Sequence, residues 1–391
     1  MKIIHSLIVA AGLTQVLAAQ PQPRYVVTDL GTLGGAYSYS YAINDGGLIA
    51  GGAATPSQSD GLSQTAFLWS RGQMVNLGTL GGAACPTCSS EGSAASAKGD
   101  VAAISETSTM DPNGEDFCAF GTHRQCLAAI WKQGAMTALP VLPGGQNSQA
   151  YWINKSGETI GFSENGTLDT TCAVPYQVRR FEAVKWTRDG KIQELNPLPG
   201  DTVAFAFGIN DRGQAVGASG LCSNTFIPPV GPPSGPHAAL WEKDGRPLDL
   251  GTLPGGVNYV ATSINNSGDV VGNVLFTDQT VHPFLWTSKD GMQDLGLPSG
   301  DFVAVVPCCG TLNNRGDIVG FSCPGPMGTC RAVVWRNHTW TDLNDLLLPG
   351  SPMYVLSANS VNDAGQIVGS GLVTATGEIH AFLASPASKN N

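Results

Sequence analysis

The stretch Ile209-Asn-Asp-Arg-Gly-Gln-Ala-Val-Gly-Ala-Ser219 decides the fold, because close variants of it recur along the chain. Six of the seven copies keep the Asn and the Gly three residues later, and one copy carries Ser96 in place of the Asn. Self-similarity at a nearly fixed period is the signature of a repeat architecture. In chain order the seven copies, which number the repeats, are 43–52, 95–105, 153–163, 209–219, 264–273, 312–322 and 361–370.

Each repeat divides into four short strands, A to D. Strand A ends in Ile-Asn, as in 204–210, and strand B follows the Asn-Asp-x-Gly turn and contains a Gly that permits close approach. Strand D closes with a segment of the Leu-Gly-Thr-Leu-Gly-Gly type, as in 77–82. Strand C ends in a Trp that we expect to pack against the neighbouring sheet. These residues are Trp69, Trp131, Trp186, Trp241, Trp286 and Trp335.

The recurring turn is predicted to be structural. Asn tolerates turn geometry and its side chain can bond nearby backbone, while the Gly accepts the positive φ of a closing position. A calcium loop needs several carboxylates per turn, which Asn265-Asn-Ser and Asn313-Asn-Arg do not supply. We therefore predict no metal there. The turn residues are Asn44, Gly47, Asn154, Gly157, Asn210, Gly213, Asn265, Gly268, Asn313, Gly316, Asn362 and Gly365.

The order of the strands predicts a closed ring. The first D segment, from Tyr25 to Leu30, precedes the first A strand, whereas the last repeat stops after its C strand. In a ring the N-terminal D strand would complete the last sheet, so that no long edge stays unpaired. The sequence thus predicts an all-β, seven-bladed β-propeller of four-stranded antiparallel blades, closed by the N-terminal strand completing the last blade.

Composition indicates an exported protein without a membrane-spanning core. Lys2 precedes an apolar run, and small residues follow it, so 1–19 is predicted to be a signal peptide. An uncleaved N-terminal anchor is the alternative. No later stretch reaches the ~20 apolar residues of a spanning helix, and a net charge of −10 argues against a nucleic-acid partner. We expect one propeller domain over 20–386, a disordered tail at 387–391, and a monomer that is secreted, extracellular or periplasmic.

Ten cysteines in an exported chain predict disulfides. Their spacing suggests five pairs without fixing the connectivity: Cys118 with Cys126, Cys323 with Cys330, Cys85 with Cys88, the adjacent Cys308 and Cys309, and the remaining Cys172 with Cys222. The alternative is a zinc site at the Cys-Pro-Thr-Cys segment 85–88, which would need the adjacent pair 308–309 as its second pair of ligands.

The repeat resembles that of the HAF-repeat family, named for a His-Ala-Phe at the start of strand C. This chain has His380-Ala-Phe382 intact and carries the Asp-Leu-Gly-Thr-Leu-Gly-Gly segment at 29–35, together with the Asn-Asp-x-Gly turn. The second repeat departs most, with Ser96 for Asn and Leu127 for His. The resemblance spans nearly the whole mature chain. It implies an exported, mostly bacterial repeat protein and no defined activity.

No nucleophile elbow, HExxH motif, P-loop or dinucleotide fingerprint appears in the sequence. His237, His282 and His380 occupy equivalent positions in strand C of different repeats, so each is predicted to bond backbone locally. His123, in a loop between cysteines, could take part in chemistry. Asp201 and Asp301, both at D-to-A junctions, could serve glycoside hydrolysis if they lie close together.

Antiparallel blades sort the connections onto two rims. The A–B and C–D turns are short, whereas the B–C connections 53–65, 106–127, 164–182 and 220–236 are long, and all the cysteines are predicted to lie on the B–C and D–A rim. Loops on a rigid scaffold commonly carry binding residues. We therefore place the candidate site on this rim, over repeats two to four.

The A strands carry aromatic residues that could line the mouth of a central channel, where they would stack on sugars or other flat apolar faces. Alternatively, they fill the inner sheets. The candidate ligand-binding residues are Tyr39, Tyr41, Tyr151, Phe205, Phe207 and Tyr259. The sequence favours a binding or interaction module for a glycan or protein, without a cofactor or catalytic residues. The alternatives are a polysaccharide-active propeller enzyme of hydrolase or lyase type and a structural surface or matrix protein.

Overall fold

The computed structural model describes residues 22–58, 63–172, 177–225, 234–325 and 328–388. The predicted signal peptide, 1–19, and most of the predicted tail, 387–391, lie outside the described residues. Twenty-eight strands, β1 to β28, and two short 3-10 helices, Gly82–Ala84 and Leu343–Leu346, make up the regular structure of the described chain. The all-β class predicted from the repeats is therefore confirmed.

The strands follow the predicted four-part repeat. The A strands are β2 (Ser38–Ile43), β6 (Ser90–Ala95), β10 (Ser148–Ile153), β14 (Val203–Ile209), β18 (Gly256–Ile264), β22 (Val303–Val305) and β26 (Met353–Val361). The B strands are β3 (Ile49–Ala53), β7 (Val101–Met110), β11 (Thr159–Leu168), β15 (Ala215–Gly220), β19 (Val270–Phe276), β23 (Ile318–Cys323) and β27 (Ile367–Val373).

The C strands are β4 (Thr65–Ser70), β8 (Arg124–Lys132), β12 (Arg179–Trp186), β16 (His237–Trp241), β20 (Val281–Thr287), β24 (Arg331–Arg336) and β28 (Ile379–Pro386). The D strands are β1 (Tyr25–Asp29), β5 (Gln73–Asn76), β9 (Ala135–Ala138), β13 (Ile192–Leu195), β17 (Pro247–Asp249), β21 (Gly291–Asp294) and β25 (Thr339–Asp342).

Strands A, B, C and D pair antiparallel in that order, which gives four-stranded sheets. The sheets of repeats five and six are joined by one parallel pair, Val281 with Val303, and so form one eight-stranded sheet. β1 pairs with β28, from Tyr25 opposite Pro386 to Asp29 opposite Phe382. The first strand of the described chain is thus the fourth strand of the last sheet.

A β-bulge recurs in the A strands. The A–B register shifts between Ser40 and Ala42 in repeat one, and the same shift occurs at 92/94, 150/152, 206/208, 261/263 and 358/360. A bulge leaves one residue unpaired and bends the strand locally. The bend brings an A-strand carbonyl against the strand-B Gly: a Cβ at Gly217 would lie 1.9 Å from the Phe205 oxygen, and one at Gly51 would lie 2.1 Å from the Tyr39 oxygen. Glycine is therefore required at these positions.

The strand-C tryptophans pack between sheets, as expected. Trp186 is 1% exposed and lies with Leu142 and Ile153 in one apolar cluster. Its indole Nε1 donates to the Pro140 carbonyl at 2.8 Å, and Trp241 donates in the same way to Asn196. Each indole is anchored to the segment that precedes its own repeat, which ties neighbouring sheets together.

Candidate functional site

The Asn-Asp-x-Gly turns come together around a small cavity of 140 Å3, to which all seven repeats contribute. In repeat four the Asn210 Oδ1 accepts from the backbone N–H groups of Arg212 and Gln214, and its Nδ2 donates to the Asn265 carbonyl at 3.0 Å. Asn154, Asn313, Asn362 and Asn44 likewise donate to backbone of the following turn. The partner Gly residues have φ between 77° and 91°. The side chains are thus engaged in holding turns together.

The residues that follow the turn Asn take part in a second series of hydrogen bonds, from a backbone N–H to a side chain of the next turn. The backbone N–H of Asn314 donates to Asp363, and that of Asp363 donates to Asp45, at 2.9 and 3.0 Å. The series is interrupted in repeat two, where Ala97 offers no side-chain acceptor. Lys155 spans the interruption, because its Nζ lies 3.0 Å from Asp45 and 3.4 Å from Asp211. The hydrogen bond to Asp45 raises the pKa of Lys155 above its ordinary value.

A larger cavity of 500 Å3, here called the central cavity, lies among the A strands nearer their first residues. Six of the seven repeats contribute to it, since the fifth supplies no lining residue. Its lining residues are Tyr41, Glu91, Ser93, Tyr151, Phe207, Val303, Val305, Pro307, Cys308, Cys309, Phe321, Ser357 and Asn359. Most of these side chains are apolar, and the volume lies within the usual range of small-molecule sites, about 300–1,000 Å3.

The recurring bulges select the residues that reach this cavity. Tyr41, Ser93, Tyr151, Phe207 and Asn359 each lie at the unpaired position of their A strand, and all five line the cavity. In five of the seven repeats the scaffold therefore presents one bulged side chain toward a shared space.

Three of the six predicted aromatic residues, Tyr41, Tyr151 and Phe207, meet in the central cavity. The rings of Tyr151 and Phe207 lie 4.7 Å apart, edge to face.

The other three predicted aromatics do not line the cavity. Phe205 is fully buried, and Tyr259 is 1% exposed with its hydroxyl bonded to Leu253. Tyr39 is half-buried beside Tyr37. The space-filling alternative thus describes Phe205 and Tyr259, and it also describes Phe207, which is fully buried in the same apolar cluster as Phe205 although it borders the cavity.

Among the described residues that line the cavity, Glu91 is the one carboxyl, and sequence reasoning missed it. Gln64 Nε2 donates to Glu91 Oε2 at 3.2 Å and to the Tyr41 hydroxyl at 3.1 Å. Burial raises the pKa of Glu91 to about 7. The available signal was an acidic residue inside an A strand of small side chains, but it lies in the repeat that lacks the Asn signature.

A second group of buried carboxyls fastens the long B–C loops of repeats two and three. Glu164 Oε2 accepts from the backbone N–H groups of Gln146 and Asn147, and Glu115 accepts from Val178. Burial and the neighbouring Glu115 raise the pKa of Glu164 to about 8. These groups lie under the loops and do not line the central cavity.

Two of the strand-C histidines, His282 and His380, hydrogen-bond carboxylates, so the prediction of backbone partners was wrong for them. His282 Nδ1 lies 2.9 Å from Asp294 and His380 Nδ1 lies 3.0 Å from Asp29. His237 Nδ1 lies 3.3 Å from Asp249 but forms no hydrogen bond with it. Strands C and D are adjacent, which brings each imidazole beside the Asp of its own sheet. The co-occurrence of this Asp with the strand-C His could have been read from the sequence.

The remaining candidates for chemistry lie apart from the central cavity. Asp201 accepts from the Ser219 hydroxyl at 2.7 Å, and Asp301 pairs with Arg331 at 2.8 Å with its own side chain 2% exposed. His123 Nδ1 contacts the Gly114 carbonyl at 2.8 Å.

The cysteines form the five pairs that their spacing suggests, and none is free in the described chain: 85–88, 118–126, 172–222, 308–309 and 323–330. Both pairs considered for zinc are therefore disulfides. One placement was wrong: Cys308 and Cys309 follow β22, an A strand, and line the central cavity instead of the D–A rim.

No protein-family model matches the chain, and no curated protein matches it in sequence. The resemblance to HAF-repeat proteins therefore stays a prediction. In the described residues no helix is long and apolar enough to cross a membrane.

Solved structures show the likeness in fold. Virginiamycin B lyase from Staphylococcus aureus is similar with a TM-score of 0.50 at 11% identity, over 92% of this chain and 99% of that one. A puromycin-hydrolyzing peptidase of Mycobacterium tuberculosis gives 0.51 at 14% identity, over 92% of this chain and 56% of that one. A puromycin hydrolase is similar with a TM-score of 0.52 at 12% identity, over 95% of this chain and 55% of that one. The chain thus spans little more than half of each peptidase, and the likeness supports a β-propeller fold.

Proposed function

We propose that this chain is an exported, ligand-binding β-propeller of seven blades, with its ligand in the central cavity. The observation that carries the proposal is the set of bulged residues, Tyr41, Tyr151 and Phe207 among them, that converge on one 500 Å3 space. Disulfide pairing supports export, because disulfides persist in oxidising compartments. We expect the protein to act as a monomer.

The blade count is inferred from the strands. Seven sets of A to D strands account for all twenty-eight, provided that the eight-stranded sheet, joined by a single residue pair, counts as two blades. The pairing of β1 with β28, and the hydrogen bond from Asp363 to Asp45, support closure between the last and first repeats.

Binding is favoured over hydrolysis by the composition of the cavity. Glycoside hydrolysis generally uses two carboxyl groups about 5–10 Å apart, whereas the part of the lining that the structure describes contains one carboxyl, Glu91. Asp201 and Asp301, proposed for that role from the sequence, are bonded elsewhere. Aromatic rings that face a cavity provide stacking surfaces without requiring chemistry.

Enzyme activity is the second candidate, and one observation favours it. Burial raises the pKa of Glu91 to about 7, and a carboxyl that titrates near neutral pH suits general acid–base catalysis. In an elimination of lyase type, the Glu91 carboxylate could take the substrate proton as the leaving group departs, and binding in the cavity would then be the first step of the reaction.

The test is a ligand screen with a cavity-filling variant. Purified protein would be applied to a glycan array and to a small-molecule library, read by thermal shift, with bound compounds checked for chemical change. Ser357→Phe places a ring in the central cavity, whereas Ser267→Phe places one on an exposed turn. We expect ligands to bind wild type and the Ser267 variant but not the Ser357 variant. Equal binding to both variants would contradict a site in the cavity.

A further inference from the structure

Glu91 is placed as an anionic anchor in an apolar space. Its Oε2 is held by Gln64, and the hydroxyl of Tyr41 is held by the same amide. No ion pair in the described part of the chain includes Glu91, and no Lys, Arg or His lines the central cavity. A carboxyl in such a site lacks the counter-charge that a buried charge normally requires.

The other polar groups of the lining are already engaged with protein. Ser93 donates to the Ala150 carbonyl at 2.7 Å, and Asn359 donates to the Ser40 carbonyl at 2.9 Å. Ser357 donates to Asn359, and the Tyr151 hydroxyl donates to Gln149. A sugar would find few free partners for its hydroxyl groups. The wall therefore favours a ligand with an apolar body and one charged group.

From this arrangement we infer that the ligand of the central cavity is an amphiphilic organic cation, with its ammonium group on Glu91 and its apolar body against Tyr151 and Val305. The inference rests on the proposed function and names the ligand class of the same site. The ammonium would restore the missing counter-charge, and the faces of Tyr41 and Tyr151 would add cation–π attraction. The apolar remainder would contact Val305, Pro307 and the disulfide formed by Cys308 and Cys309.

The protonation of Glu91 adds a pH requirement. Burial, the largest effect, raises the pKa of Glu91 to about 7, against stabilising hydrogen bonds from Tyr41 and Gln64. The titratable groups around it are Tyr41, Tyr39 and Tyr151, whose pKa values burial raises above the ordinary value. These tyrosines stay neutral below their ordinary pKa of about 10, so among the groups around the cavity only Glu91 changes charge between pH 5.5 and 8.5.

The experiment compares tryptamine with tryptophol, its uncharged alcohol counterpart, by isothermal titration calorimetry on the full chain. Further arylalkyl amines and their alcohols extend the comparison. At pH 8.5 we expect each amine to bind at least about tenfold more tightly than its alcohol. Glu91→Gln should abolish that preference, while Glu194→Gln, at an exposed acid of β13, should leave it unchanged. If Glu91→Gln fails to fold, wild type at pH 5.5 provides the same comparison, since the amines keep their charge there.

The outcomes separate the two proposals. Equal affinity for amines and alcohols, or an amine preference that survives both Glu91→Gln and pH 5.5, would overturn the cation inference while a cavity site stands. If no amine binds but a glycan does, and Ser357→Phe blocks the glycan, the cation inference would also be overturned while the cavity site stands. Ligand binding that Ser357→Phe does not affect would overturn both.

Discussion

Truncation of one buried ring in the N-terminal strand tests whether that strand is integral to the fold. Tyr25 is fully buried although it lies in the first strand. Its ring packs in one cluster with Val319, Val334 and Leu343 of the sixth repeat and with Phe382 of the last. Truncation of a fully buried aromatic residue to Ala typically lowers the free energy of unfolding by about 3–5 kcal/mol. We expect Tyr25→Ala to fall in that range.

The neighbouring residue provides a matched control. Val26 lies in the same strand but is 43% exposed, and Val26→Ala should lower the free energy of unfolding by no more than about 1 kcal/mol. Both variants keep the backbone pairing of β1 with β28. The difference between them therefore reports the burial of one side chain.

Urea unfolding, followed by the fluorescence of the eight tryptophans, measures the difference. With a urea dependence of about 3 kcal/mol per molar, Tyr25→Ala should lower the midpoint by roughly 1–2 M. The same midpoint for Tyr25→Ala and Val26→Ala would refute the reasoning. It would mean that the N-terminal strand does not unfold cooperatively with the rest of the protein. Closure of the ring by that strand would then be refuted.

Three further predictions concern stability. Burial raises the pKa of Glu164 to about 8, so the folded protein holds this proton to higher pH than the unfolded protein does. The free energy of unfolding should therefore fall between about pH 4.5 and pH 8, by at most about 1.4 kcal/mol per pH unit. Glu164→Gln should make that fall shallower in thermal unfolding, and an unchanged pH profile would contradict the assignment. The disulfide between Cys172 and Cys222 closes a loop of about 50 residues. Replacement of both cysteines by Ser should lower the free energy of unfolding by about 4 kcal/mol, because the unfolded chain gains loop entropy. Wild-type stability in the double variant would argue against the bridge. Asn210→Ala removes three hydrogen bonds within its turn, to the backbone N–H groups of Arg212 and Gln214 and to the Gln214 side chain, and one to the Asn265 carbonyl. Urea unfolding should therefore show a loss of about 2–3 kcal/mol, and a loss below that of an exposed Asn→Ala would show that these contacts contribute nothing.

The sequence predicted the features that are set locally. The turn at Asn210 could be predicted because Asn and Gly suit its backbone geometry in any context. The cysteine pairs followed from short spacings and from elimination. The D strand at Tyr25 could be assigned to the last repeat by counting, since each sheet needs four members.

The cavity could not be predicted, because it depends on the bulges. In a regular strand Tyr39 and Tyr41 would share one face, as would Phe205 and Phe207. One extra residue in β2 and one in β14 separate them, so that Tyr41 and Phe207 line the cavity and Phe205 does not, although both Phe side chains are fully buried.

The junction between the two chain ends has a consequence for how the molecule could be rearranged. The Ala387 N–H donates to the Arg24 carbonyl at 2.7 Å, so the ends of the last and first strands lie side by side. In the proposed ring, the gap between β28 and β1 is thus one of seven junctions between a strand C and a strand D, and a turn closes the other six. A short linker across it, with new termini opened in an exposed C–D turn such as 71–72, should yield a circular permutant that keeps the same sheets. The order of the repeats around the ring would then not depend on which repeat comes first in the chain.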